Sequence, residues 1–91
     1  MAESVPNELY SPKGLKSLFK LAASALDRQE KTDLLTTAIM LNKRVRRWPK
    51  NEIDRILEAR AAGLTDDEIR ALVRRLHADR ARRAAELRGT A

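Results

Sequence analysis

"NKRVRRWPKNEID", residues 42–54, joins two kinds of sequence. Its first half carries Lys43, Arg44, Arg46 and Arg47 and ends on Trp48, the one tryptophan of the chain. Its second half begins with Pro49 and places Glu52 and Asp54 where a helix dipole favours acids. The longer run "LLTTAIMLNKRVRRW" is rich in β-branched residues and has no acid. Residues 38–41 and 44–48 read as two short strands, with Asn42-Lys43 as a two-residue turn in which asparagine tolerates φ > 0. Strand alternation puts Val45 on one face and Arg44 and Arg46 on the other. Trp48 then belongs to the core, plugging the base of the hairpin.

Upstream, "LYSPKGLKSLFKL" predicts a helix over 12–20. Ser11 suits its N-cap and Pro12 its first position. Leu15, Leu18, Phe19 and Ala22 fall at i, i+3, i+4, i+7 and define its buried face. Gly14 costs that helix about 1 kcal/mol relative to alanine. A second helix is expected over 23–31, burying Leu21 and Leu26 and presenting Ser24, Asp27, Arg28 and Lys31 outward. Two short helices in close succession make a helix-turn-helix candidate, a common and unspecific pattern. Residues 1–8 lack periodicity and read as a flexible N-terminus.

Downstream, Pro49 is expected at the first position of a third helix, with Ile53, Ile56, Leu57 and Leu64 as its buried stripe. Gly63 is a natural stop. Thr65-Asp66-Asp67-Glu68 is a T-x-x-E capping box for a last helix, whose stripe is Ile69, Leu72, Val73 and Leu76. Beyond Leu76 the stripe thins to Ala84 and Leu87 among Arg80, Arg82, Arg83 and Arg88.

Ninety-one residues suggest one small domain with a thin core, since a chain of this size buries only about 60% of its unfolded surface. There is no cysteine, which rules out a disulfide or thiolate metal site and fits a reducing interior such as a bacterial cytoplasm. "MAESVPNELY" has no apolar h-region and no stretch approaches 18 apolar residues, so neither a signal segment nor a membrane partner is expected. The charge is +6, from 19 basic and 13 acidic residues, and implies a polyanion partner. It is concentrated in two blocks. Residues 34–50 hold five cations and no acid, and residues 69–91 hold seven arginines against Asp79 and Glu86. Between them lie two cations and six acids. Nucleophile–base pairs, glycine-rich phosphate loops and metal clusters are missing from the pattern, so neither an enzyme nor a cofactor is expected.

Helix, helix, two-stranded hairpin, helix is the order of a winged helix-turn-helix. The expected fold class is therefore mainly α with a small β-hairpin, plus a C-terminal helix. In that arrangement the second helix enters the major groove of DNA and the wing lies on the adjacent backbone or minor groove. "VRRWPKNEID" followed by "RILEAR" resembles the "RW…SEID" segment of AlpA-like and excisionase-like regulators, which carry the MerR-type winged helix-turn-helix. The resemblance covers residues 9–61. Where that family carries a polar cap and Gly or Pro before the wing, this chain has "LAAS" and "DLLTT". The flanking segments "LYSPKGLKSLF" and "AGLTDDEIRALVRRLHADRA" look similar to the RdfS-like recombination directionality factors of integrative and conjugative elements. The resemblance implies several copies binding beside an attachment site, bending DNA and biasing a tyrosine integrase toward excision. Alternatives are an AlpA-type transcriptional regulator without a recombination role, or a small basic protein-interaction module. The implied division is 1–8 as a tail, 9–64 as the DNA-binding domain and 65–91 as a basic helix for oligomerisation or extra DNA contact.

The base-reading candidates are Ser24, Arg28, Gln29 and Lys31, because Arg suits guanine and Gln suits adenine. Lys43, Arg44, Arg46 and Arg47 are the wing candidates, acting chiefly on phosphates. Lys13, Lys16, Arg74 and Arg75 could add backbone contacts, and Leu72 and Leu76 could pack on the domain itself or on another copy. Arg80, Arg82 and Arg83 admit the same readings as a solvated face, a phosphate contact or a contact to a neighbour. His77 is expected on the surface.

Overall fold

A computed structural model of the chain describes residues 8–89. Its order is β1 (Leu9–Tyr10), α1 (Pro12–Phe19), α2 (Ala23–Lys31), β2 (Ile39–Asn42), β3 (Val45–Pro49), α3 (Lys50–Ala61) and α4 (Asp66–Arg88). The fold is mainly helical, with a small antiparallel sheet in the order β1-β3-β2. The expectation of a loose N-terminus falls almost wholly on residues outside those described. Glu8, its last member, accepts a hydrogen bond from Lys50 N at 3.0 Å through its carbonyl.

α1 starts as its sequence requires: Ser11 Oγ accepts from Gly14 N at 3.0 Å and Pro12 takes the first turn. Lys20, left-handed at φ 59°, ends it, and Leu21 N closes on Lys16 O at 3.1 Å. The buried stripe is narrower than the spacing implied. Leu15 is buried and Phe19 packs on the core, but Leu18 is exposed. Ala22 lies outside the helix, as the exposed N-cap of α2.

α2 has the expected bounds and buries Leu26, with Leu21 partly buried against the core. Its end is a Schellman arrangement on Asp33, left-handed at φ 61°: Leu34 N reaches Gln29 O at 2.9 Å and Asp33 N reaches Glu30 O at 3.3 Å. Arg70 of α4 adds a cap by donating from Nε to Thr32 O at 2.9 Å.

The hairpin exists, but its turn is one residue later than read, at Lys43-Arg44. Asn42 stays in β2 and does not adopt φ > 0. Its side chain makes the turn instead: Oδ1 accepts from Arg44 N at 2.9 Å and Val45 N at 3.1 Å. The ladder pairs Ile39 with Arg47 and Met40 with Arg46, then slips at a bulge so that Asn42 meets Val45. Arg44 therefore sits in the turn, and only Arg46 shares the strand face opposite Val45. The third strand was invisible in the sequence because two residues are too few to show a period. It pairs Leu9 with Pro49 and Tyr10 with Trp48.

Pro49 caps α3 rather than opening it. At φ −61° and ψ 130° it remains extended and paired with Leu9, so the helix begins at Lys50. Lys50 Nζ meets Asp54 Oδ2 at 2.7 Å, and that carboxylate holds the lysine above its usual pKa. Ile53 and Ile56 are buried as expected, and Leu57 partly. Leu64 is not part of the stripe. Gly63, at φ 88°, turns the chain off the helix, and Leu64, exposed, closes a second Schellman arrangement through its N–H on Ala59 O at 3.1 Å. The capping box of α4 is formed: Thr65 N donates to Glu68 Oε1 at 2.8 Å and Glu68 N to Thr65 Oγ1 at 3.2 Å.

A single cluster forms the core. It takes Leu15 and Leu26 from α1 and α2, Leu34 and Leu35 from the connecting loop, Trp48 from β3, Ile53, Ile56 and Ala59 from α3, and Ile69, Leu72, Val73 and Leu76 from α4. Trp48 is fully buried and donates from Nε1 to Thr36 O at 2.9 Å. Leu72 and Leu76, at 6% and 4% exposure, belong to this core and are not available to another copy. Segments read as 9–64 and 65–91 thus share one core.

Candidate nucleic-acid interface

Three residues on α2 point outward together. Ser24, Arg28 and Lys31 are spaced by four and three, so one helix face carries them, and all are exposed. The side chains of Arg28 and Lys31 have no hydrogen bond or ion pair among the described residues. Gln29 is turned elsewhere: it is half-buried and its Oε1 accepts from Arg60 Nη2 of α3 at 3.1 Å. It helps fix α2 to α3 and is not on the outward face.

The hairpin is fastened to α2 by one arginine. Arg46 Nη2 lies 3.3 Å from Glu30 Oε1 and 3.5 Å from Asp27 Oδ1. Its guanidinium carbon is 5.0 Å from the centroid of the Trp48 ring, in cation–π range. The other oxygen of Glu30 accepts from Ala38 N at 2.6 Å, where β2 begins. Arg46, expected as a phosphate ligand, thus pairs with acids of α2 while its side chain stays about a third exposed. Alternation explains this: Arg46 and Trp48 are two apart on β3 and share the face that packs on α2. Arg47, on the other face, is half-buried and donates from Nη1 to Arg46 O at 2.7 Å. Lys43 and Arg44, at the tip, are exposed and their side chains are unpaired among the described residues. α2 and the hairpin tip thus each carry a pair of unpaired cations, linked through the Arg46 contact between hairpin and helix, and further unpaired cations lie on α1, α3 and α4.

Other candidates lie further out. Lys13 is exposed on α1, Lys16 half-buried in its last turn, and Arg74 and Arg75 exposed on α4. Three of the distal arginines of α4 pair with acids of the chain, and Arg88 does not among the described residues. Arg82 pairs with Asp79 at 3.1 Å and Arg83 with Glu86 at 3.6 Å. Arg80 reaches across to Glu52 of α3 and to Thr37 O, the latter at 2.7 Å. His77 is not a free surface side chain: half-buried, its Nε2 accepts from Thr37 N at 3.0 Å. The Arg46 and Arg80 contacts were missed by reading the sequence, since their partners lie 16 to 43 residues away without any periodic relation. An acid at a half-buried helix position is the one signal that could have suggested them.

Among the described residues, no helix is long and apolar enough to cross a membrane, and no group of three His, Cys, Asp or Glu residues could hold a metal ion. No protein-family model, curated protein or solved structure matches this chain.

Proposed function

We propose that the chain is a double-stranded DNA-binding protein of winged helix-turn-helix type, with α1 and α2 as the helix pair and β2–β3 as the wing. The observation that carries this reading is that a helix face and a hairpin tip each present two exposed cations, Arg28 and Lys31 on α2 and Lys43 and Arg44 at the tip, without acidic partners among the described residues. Lys13, Lys20, Arg55, Arg74, Arg75 and Arg88 are exposed and unpaired among those residues as well, while Arg46, Arg80, Arg82 and Arg83 pair with acids of the chain. Unpaired cations on a helix face and on a hairpin tip suit phosphates at two places along a groove. α2 takes the major groove, where Arg28 faces guanine and Ser24 and Lys31 flank it. Lys43, Arg44 and Arg47 rest on the neighbouring backbone. Arg46 sets the angle between helix and wing and does not itself contact phosphate.

The resemblance to excisionase-like regulators extends the proposal to a job. Several copies bind beside an attachment site, bend it and bias a tyrosine integrase toward excision. Bending costs a few kcal/mol, offset by the extra protein–DNA contact it permits. An AlpA-type regulator that controls promoters alone is the second reading, and the same surface serves it. Footprinting of the purified protein on the attachment region of its own element tests both. A long, phased protected tract supports the recombination role, one short palindrome supports the regulator, and no protection at low salt removes DNA from the account.

A further inference from the structure

Lys20 stands in the short turn between α1 and α2, at φ 59° and ψ 42°. That left-handed conformation crowds any Cβ against the carbonyl that follows, so glycine is at home there, with asparagine and aspartate as the usual exceptions. Among the described residues, Lys20 and Asp33 are the non-glycine residues that take positive φ. Asp33 is of a tolerated kind and Lys20 is not. The end of α1 has no use for the lysine side chain, because the backbone closes it: Lys20 N and Leu21 N both donate to Lys16 O. A glycine would close it equally well. Phe19 and Leu21, on either side, pack against the core and hold the backbone between them. The Lys20 side chain is exposed, without a hydrogen bond or ion pair among the described residues. Lys13, Arg55, Arg74, Arg75 and Arg88 are equally unpaired, but they sit on ordinary helical backbone, where lysine and arginine are good helix formers and need no other reason. Lys20 differs from them in occupying a conformation that its own residue type disfavours. Strain of that kind gathers at functional sites.

We propose that Lys20 is a phosphate ligand, neutralising a DNA backbone phosphate at the rim of the groove that α2 enters; this rests on the DNA-binding reading above. In a helix-turn-helix the second helix brings its N-terminal residues to the base edges while the first crosses the backbone. The turn that joins them lies at the groove's edge, where the nearest anion is a phosphate. An ammonium on a backbone root fixed by its two packed neighbours positions the duplex and reads no base.

The test compares Lys20→Gly, Lys20→Asn and Lys20→Arg with wild type, all as the full-length chain. Each is melted, and each is titrated with a duplex selected by wild type from a randomised pool and with random duplex. Lys20→Gly and Lys20→Asn relieve the strain, so both should melt a few degrees higher than wild type. Both should also bind the two duplexes more weakly by the same factor. One lost phosphate contact lowers the slope of log K against log salt by about 0.9, so the advantage of wild type should shrink about 3.5-fold between 50 and 200 mM salt. Lys20→Arg keeps the charge and should keep wild-type affinity and slope. Wild-type affinity and slope in both Lys20→Gly and Lys20→Asn overturn the proposal. A lower melt in both also overturns it, since the side chain would then serve the C-terminal dipole of α1. Weaker binding at an unchanged slope overturns it by pointing to a distorted turn, and a loss confined to the selected duplex does so by making Lys20 a base reader. Failure of wild type to bind any duplex at low salt takes down the DNA-binding reading and this proposal with it, an outcome distinct from the others.

Discussion

Arg80 grips the buried carboxylate of Glu52 with two donors, Nη2 to Oε1 at 2.6 Å and Nε to Oε2 at 2.8 Å. The Glu52 side chain is only 7% exposed, so the pair is closed off from solvent on one side. The same arginine donates to Thr37 O. One side chain of α4 thereby fixes the first turn of α3 and the loop that leads into β2. Removing it leaves a buried carboxylate without a counter-charge, which is costlier than the pair is worth intact. Arg80→Ala is expected to lower unfolding free energy by about 3 kcal/mol. Glu52→Gln in the same chain should recover part of that loss. Urea unfolding of the three variants measures both effects.

Trp48 is held by shape and by one hydrogen bond. Trp48→Ala opens a large cavity and should cost about 3–5 kcal/mol, enough to abolish a cooperative native melt in a domain this small. Trp48→Phe keeps much of the volume but strands Thr36 O without its Nε1 donor, at about 1–3 kcal/mol. It also removes the better cation–π surface under Arg46. A native-like melt for Trp48→Ala would contradict the packing described above.

Arg46 and the tip cations should separate in a salt titration. Lys43→Ala with Arg44→Ala is expected to weaken binding to all duplexes and flatten the slope of log K against log salt by about 0.9 for each phosphate that is no longer neutralised. Arg46→Met should weaken binding without flattening the slope, because it loosens the hairpin from α2 but touches no phosphate. An equal flattening in both would return Arg46 to the interface.

Arg28→Ala should narrow the gap between target and random duplexes by about 1–3 kcal/mol. Competition binding at fixed salt reads it directly. A preserved gap would show that α2 is not the reading element.

Thr65→Ala removes one half of the capping box and should cost about 1 kcal/mol. Since α4 supplies Ile69, Leu72, Val73 and Leu76 to the core, this loss should appear as a shift of the whole cooperative transition and not as fraying of a separate helix. Two transitions in calorimetry would show instead that α4 melts apart from the rest of the chain.

The sequence by itself determined the elements that local chemistry specifies. Ser11 and Thr65 marked helix starts and Gly63 a stop, because caps and left-handed turns depend on a few neighbouring residues. The extent of α2 and the burial of Trp48, Ile53, Ile56, Ile69 and Val73 were equally readable, from spacing and size, whereas the stripe left Leu72 and Leu76 open to the domain or to another copy. Boundaries slipped by one residue where two local rules competed: Asn42 turned the hairpin with its side chain, and Pro49 stayed in the sheet before the helix. Only the tertiary structure decided which charges are free. Arg46 and Arg44 look alike in "KRVRRW", yet one is bound to Asp27 and Glu30 and the other stands in solvent. That difference comes from which face of β3 meets α2, and from acids distant in the chain that folding brings within 4 Å, neither of which a linear charge count contains.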